Sequence, residues 1–326
     1  MSEALRRRFL IAMGATPLLA HPAFAQKSAR SARIGILEFG APPQGSFVSA
    51  YLAALRRLGY AEPDSLQIER RYAQGDATRF SELLRDLAAR KVDLVFTVGN
   101  DFAQVAKQVT PALSVVTAGS DDPVMSGLIR DYRRPGGNIT GVTYLSPQLA
   151  PKRLDMLREA LPGLARVAVL WDPAHFDTYY QDLVPAARAL GVQLHLVQAR
   201  APDEIEGAVA AARNARAQAL FVVPSRMLNL QARRIGQLAL GARLPMMAAY
   251  ANFTDAGGLI SYGAVAGEML ERAAAQSVRI LEGARAGDLP FEQAATFELV
   301  INAKTASVLG LTIPQSLLLR ANRIIE

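Results

Sequence analysis

The residues of this chain that could do chemistry sit where apolar runs stop. Phe39 and Gly40 close the run 33–39, Gly99-Asn100-Asp101 follows the run 93–98, and Ser120-Asp121 follows the run 113–118. Further on, Asp172 and Phe176 follow the run 166–171, Ser225 follows Pro224 after the run 219–223, and Tyr250 stands beside Asn252. Phe39, Tyr144, Phe176, Tyr250 and Tyr262 offer flat apolar faces, three of them with a hydroxyl, while the Asn100-Asp101 helix start and Ser120 offer donors. That set suits reversible capture of a small molecule with a ring and a carboxylate. Asp172 would add a partner for an amine, which makes an aromatic or branched amino acid the first expectation and an aromatic acid without the amine the second.

No single contact of this kind suffices. A helix N-terminus contributes about 0.3–1 kcal/mol to a carboxylate, and an aromatic pair about 0.5–1.5 kcal/mol beyond burial. Useful affinity therefore needs several contacts from more than one side. Each residue also has a plainer role: Asn100 and Asp101 as helix caps, Asp172 as an Asx turn ahead of Pro173, and Asp122-Pro123 as a turn that leaves only Asp121 free.

Covalent chemistry has little to work with. The chain has no cysteine and three histidines, and the two beyond the first 25 residues, His175 and His195, lack metal-ligand spacing. No G-x-S-x-G, H-E-x-x-H or P-loop pattern occurs. Pro135-Gly136-Gly137 with Gly141 lacks the dinucleotide spacing and precedes no helix. The expectation is a binder with no cofactor, no metal and no catalytic residues.

Loops can present such residues only if regular elements hold them. Short apolar runs at 33–39, 66–72, 93–98 and 113–118 alternate with helical spacing such as Phe47, Tyr51, Ala54, Leu55 and Phe80, Leu83, Leu84, Leu87. That alternation predicts a parallel sheet flanked by helices, with Phe47 and Phe80 read as core. The segment 120–143 interrupts it, because Pro135-Gly136-Gly137 continues neither helix nor strand. The alternation then restarts at offsets of about 130 residues, a weak sign of duplication. A chain of 326 residues exceeds one core, so two α/β lobes are expected. The strand over 257–263 and the last strand at 297–301 are too short to build a third. The expected division is 32–141 plus 258–293 for the first lobe and 142–257 plus 294–326 for the second, with three crossovers near Thr140 to Thr143, Asp255 to Gly258 and Ala295.

The first 25 residues read as a cleaved export signal. Arg6-Arg7-Arg8 precede an apolar run over 9–20, and Ala23-Phe24-Ala25 gives a small-x-small cleavage pattern. Leu5 stands where a twin-arginine motif usually has Ser or Thr, so either the Sec or the twin-arginine route is open. Cleavage would remove three arginines and one glutamate, lowering the formal charge from +7 to +5. The remaining basic residues are scattered, which speaks against a nucleic-acid surface. A monomer free in the periplasm is expected.

Four separated motifs carry a resemblance: SDDPVMSGLI with RRPGGNITGV, then KRLDMLREALPGLARVAVLWDP, then GGLISYG, and finally FELVINAKTASVLGLTIP. In this order and spacing they resemble the ABC-transporter substrate-binding family, over nearly all of the chain past the leader. The resemblance implies a type I periplasmic binding protein, with two Rossmann-like doubly wound lobes, three crossovers and a small-molecule ligand in the cleft. It also implies an inner-membrane ABC permease with its ATPase as partner, and some relatives carry aromatic amino acids or related acids. Two other roles use the same scaffold, a ligand-sensing module for a membrane receptor and a periplasmic enzyme.

Overall fold

The computed structural model describes residues 31–41, 46–175 and 179–326. The expected leader and Phe176 lie outside them. The strands among the described residues are β1 (Ala32–Glu38), β2 (Leu66–Tyr72), β3 (Leu94–Val98), β4 (Ser114–Gly119), β5 (Ile139–Thr143), β6 (Arg166–Trp171), β7 (Gln193–Gln198), β8 (Ala219–Val222), β9 (Met246–Ala248), β10 (Ile260–Ala264), β11 (Glu292–Gln293), β12 (Phe297–Asn302) and β13 (Arg323–Ile325). They form two sheets, in the orders β11-β5-β4-β3-β1-β2 and β13-β12-β10-β9-β8-β6-β7. Every pairing in the first sheet is parallel. In the second sheet β10 and β12 run antiparallel. This is the two-lobed α/β architecture that the alternating runs imply.

Helices cover both faces of each sheet, as buried parallel strands require. The helix Phe80–Ala89 buries Phe80, Leu83, Leu84 and Leu87, a spacing that keeps one face inward. The helix Ala266–Leu281 comes from late in the chain yet packs on the first lobe, where Met269, Leu270, Ala273 and Ala274 share a core with Val48, Ala54 and Leu55 of the helix Ser46–Arg57. Tyr51 fixes that docking: its ring stacks on Phe96 at 3.7 Å between centroids and its hydroxyl donates to Ser277 Oγ at 2.7 Å. The helix Ala303–Leu309 is closed at both ends, by the Asn302 side chain accepting from Thr305 N and by Gly310 in the left-handed region.

The chain passes between the sheets three times, but two passages lie later than the sequence suggests. Residues 139–143 form β5, held between β4 and β11 in the first sheet, so the first passage is 144–149 rather than Thr140 to Thr143. The expected return at 258 also comes too early. Ile260–Ala264 has its backbone partners in β9 and β12, so it belongs to the second sheet and the chain leaves it only at Val265. The third passage is 294–296, between β11 and β12.

Arg153, fully buried, ties two of these passages together. Its Nε donates to the Tyr262 carbonyl at 2.6 Å, and its Nη1 donates to the carbonyl and hydroxyl of Ser146, both at 3.0 Å, and to the Tyr179 hydroxyl. Among the described residues no carboxylate lies within 4 Å of it. Its bonding is therefore to neutral oxygens of the first passage, of the strand before the second and of Tyr179, and its Nη2 is buried without a partner. A buried acceptor left unmet costs about 1–3 kcal/mol. Arg153→Met, which keeps the apolar stem, should lower unfolding free energy by about 3 kcal/mol in urea titration, and a loss below about 0.5 kcal/mol would show that the guanidinium does not hold the passages.

Candidate ligand-binding cleft

In parallel sheets the strand ends that carry loops all open the same way, and the switch between lobes leaves a crevice there. From the first lobe β1 delivers Phe39 and Gly40, β3 delivers Gly99, Asn100 and Asp101, and β4 delivers Ser120 and Asp121. From the second, the loop after β6 delivers Asp172 and His175, β8 delivers Ser225 and Arg226, and β9 leads to Tyr250.

Local chemistry explains the turns. Gly99, at φ +111°, precedes the helix Asn100–Val109, and a Cβ there would strike Arg226 and Asp101. A Cβ on Gly119 would strike the Asn100 side chain, so glycine lets Asn100 lie flat against the strand end. Asn100 is buried, donates through Nδ2 to the Asp121 carbonyl at 3.4 Å, and leaves its Oδ1 without a partner. Ser225 caps the short helix Arg226–Leu230 by accepting from Leu228 N at 3.1 Å.

Two charge pairs cross the cleft. Arg226 of the second lobe donates through both Nη atoms to the two carboxylate oxygens of Asp101 in the first. Its guanidinium is sandwiched by aromatic rings of the first lobe, 4.9 Å from Phe39, 4.7 Å from Phe102 and 5.8 Å from Phe80, while its Nε is buried without a partner. Both the bidentate geometry and the ring contacts strengthen such a pair. The second pair sets His175 Nε2 3.7 Å from Asp121 Oδ1, with both side chains buried and neither ring nitrogen hydrogen-bonded. Burial pushes the His175 pKa down, but Asp121, with a smaller contribution from Asp101, outweighs it and raises the pKa above its ordinary value.

A cavity of about 370 Å³, including its open mouth, lies between these pairs, with polar groups set in walls that are otherwise apolar. Its walls include Gly99, Gly119, Ser120, His175, Ser225 and Tyr250. Tyr250 meets Phe47 at 6.0 Å and Tyr144 at 5.6 Å, both edge-on, and burial pushes its hydroxyl pKa up to about 12. Arg226 and His175 line that space, with Arg226 Nε and both His175 ring nitrogens buried without partners, while Asn100, whose Oδ1 is also unpartnered, and Asp121, which accepts from Ser120 Oγ at 3.2 Å, pack next to its Gly119-Ser120 wall. That combination can receive a group carrying both a negative and a positive end.

Of the expected residues, Phe39, Gly40, Ser120, Ser225 and Tyr250 line the two cavities of the cleft, Asn100, Asp101 and Asp121 sit beside those walls without lining either, and Tyr144 is buried behind Tyr250. Two expected residues sit elsewhere. Asp172 is buried and accepts from Ala174 N at 2.9 Å, an Asx turn that spends one carboxylate oxygen. Tyr262 packs its ring on Phe297, takes a hydrogen bond from Lys152 Nζ at 2.7 Å and lines neither cavity. Phe47, which its helical spacing assigns to the core, instead lines the cleft. Arg226, His175 and Asn229 went unread, Arg226 because it is one of many scattered arginines and His175 because it has no second ligand nearby in sequence.

Two sheets, three passages and a solvent-opening crevice at the strand ends define a type I periplasmic binding protein fold. The comparisons carry the classification further. The chain belongs to the ABC transporter substrate binding protein family, whose sequence model matches residues 42–325. It is 22% identical over 264 residues to a tyrosine-binding protein of Clostridioides difficile (strain R20291), covering 80% of this chain and 75% of that protein. Among solved structures it resembles an ABC domain from Streptococcus pneumonia in complex with L-Trp (TM-score 0.83, 24% identity, covering 91% of this chain and all of that one). It also resembles a ligand-free, open substrate binding protein with adhesive properties from Clostridium difficile (TM-score 0.62, 19% identity, covering 90% of this chain and 99% of that one). The family is one of solute-binding proteins rather than enzymes.

Two outcomes follow from the cross-cleft pairs. A His175 pKa raised by folding means that its contribution is fully present below about 6.5, the ordinary value, and is lost as pH rises through the folded value. The thermal midpoint should therefore fall between pH 6 and pH 8 by more in the wild type than in His175→Gln, and parallel curves would show the pair to be silent. For the other pair, Asp101→Asn and Arg226→Gln should each raise the ligand-free radius of gyration in small-angle scattering. The double variant should open no further than the singles, since both remove one interaction.

Proposed function

We propose that this chain is the solute-binding component of an ABC importer and that it closes over an amino acid, with an aromatic side chain preferred. The observation that carries the reading is the cleft cavity lined by Arg226, whose Nε is buried without a partner, and by His175, whose ring nitrogens are likewise unpartnered. A carboxylate is met by Arg226 Nε, the His175 ring and the first turn of the helix Asn100–Val109. An ammonium is met by Asp121, which follows the cavity-lining Ser120 and faces the cavity-lining His175. Relatives that bind tyrosine and L-Trp support the same class. The export signal expected at 1–25 supports a periplasmic mature chain, where an inner-membrane permease with its ATPase would receive the solute.

Isothermal titration of the purified chain with L-tyrosine, L-tryptophan, L-leucine, 3-phenylpropionate and glucose tests this. Aromatic amino acids should bind, and Asp121→Asn should cost them about 2 kcal/mol or more, the usual loss when one partner of a buried charge pair is removed. 3-Phenylpropionate, which lacks the amine, should bind that variant as well as it binds the wild type. Asp172→Asn should leave all of them unchanged. Binding of glucose alone would sink the amino-acid reading.

A further inference from the structure

The polar cavity does not end at its own walls. Phe47, Val98, Arg226 and Asn229 also line a second cavity of about 540 Å³, including its open mouth. The additional walls of that space are mostly apolar, contributed by Leu37, Phe39, Val48, Phe96 and Leu230, with Glu38 as the one carboxylate among its lining residues. We propose that this second cavity is a side-chain subsite that takes the aryl group of the ligand, and that Arg226 is the partition that sets which ligands can span both spaces. The proposal rests on the amino-acid reading of the polar cavity.

Three observations carry it. First, Arg226 bounds both cavities without presenting a free charge to the apolar one. Its two Nη atoms are held by Asp101, and Phe39 and Phe102 lie within 5 Å of the guanidinium. A neutral ring can lie beside a cation so neutralised, whereas a second ligand charge there would compete with Asp101 for Arg226. Second, Phe47 stands at the junction, edge-on to Tyr250 on the polar side and part of the apolar wall on the other. A ligand ring beyond Phe47 would extend the edge-to-face series Tyr144, Tyr250, Phe47, an arrangement that aromatic quadrupoles favour. Third, Leu230 is 40% exposed although it lines an apolar space. A ring in the cavity would cover it.

The test compares L-phenylalanine with L-valine, which share the charged head and differ in how far the side chain reaches. In titrations of the wild type, L-phenylalanine should bind at least thirtyfold more tightly. Leu230→Trp, placed at the exposed rim so that folding is spared, should fill the subsite and weaken L-phenylalanine at least tenfold while moving L-valine less than threefold. Leu230→Ala should weaken L-phenylalanine by about threefold only. A Leu230→Trp variant that binds L-phenylalanine like the wild type, or loses both ligands equally with its melting midpoint unchanged, overturns the subsite and leaves the amino-acid reading standing. A wild type that binds neither amino acid and does bind another solute overturns both.

Discussion

The bidentate contact between Arg226 and Asp101 is the interaction on which the geometry of the cleft depends. It joins the first turn of a helix in one lobe to the first turn of a helix in the other, and both turns sit directly after buried strands. The pair can form only when the strand ends of the two sheets face each other, and once formed it fixes the spacing of everything between them. Ser120, His175, Ser225 and Tyr250 owe their shared cavity to that spacing. The rings of Phe39, Phe80 and Phe102 keep water from the guanidinium, so the attraction acts in a medium of lower dielectric than an exposed pair would meet.

A consequence for recognition is that the cleft has little net charge to offer. Asp101 answers Arg226 and Asp121 faces His175, both acids from the first lobe and both bases from the second. A ligand with matched charges can enter such a site without leaving an excess behind, whereas a simple anion or cation would strip one of the protein's own groups of its partner. The zwitterionic head of an amino acid meets that condition. On the proposed reading, the nonpolar second cavity would then supply the discrimination that the head group, common to all amino acids, cannot.

Much of the fold was legible because buried parallel strands write themselves as short apolar runs. The runs 66–72 and 166–171 became β2 and β6 as read, and Asn302 and Gly310 mark the ends of their helix as capping chemistry says they should. What failed had a physical cause. Glycines at 257 and 258 look like a boundary, but the adjoining strand has no exposed edge and finds its partners in the second sheet. The strands β9, β11 and β13, of two or three residues, are too short for any periodicity to show. In the cleft, rules about strand ends located several of the loops that line it, including those of Ser120, Ser225 and Tyr250. They could not separate Asp121 from Asp172, because both follow strands and only tertiary structure shows which carboxylate is consumed by its own turn. Arg226 and His175 act through partners some 125 and 54 positions away, a distance no local pattern encodes.

The late return of the helix Ala266–Leu281 has a bearing on how the molecule comes to exist. Its apolar face completes the core of the first lobe, and β11 adds that lobe's edge strand, yet both are made after nearly all of the second lobe. Emerging from the ribosome or from a translocation pore, the first lobe stays unfinished, with the faces of Val48 and Leu55 uncovered, until the chain has passed through its neighbour and come back. The second lobe in turn waits for β12 and β13. Each lobe is thus built from two separated stretches of chain, and a truncation before β11 removes the edge strand of the first lobe together with β12 and β13 of the second.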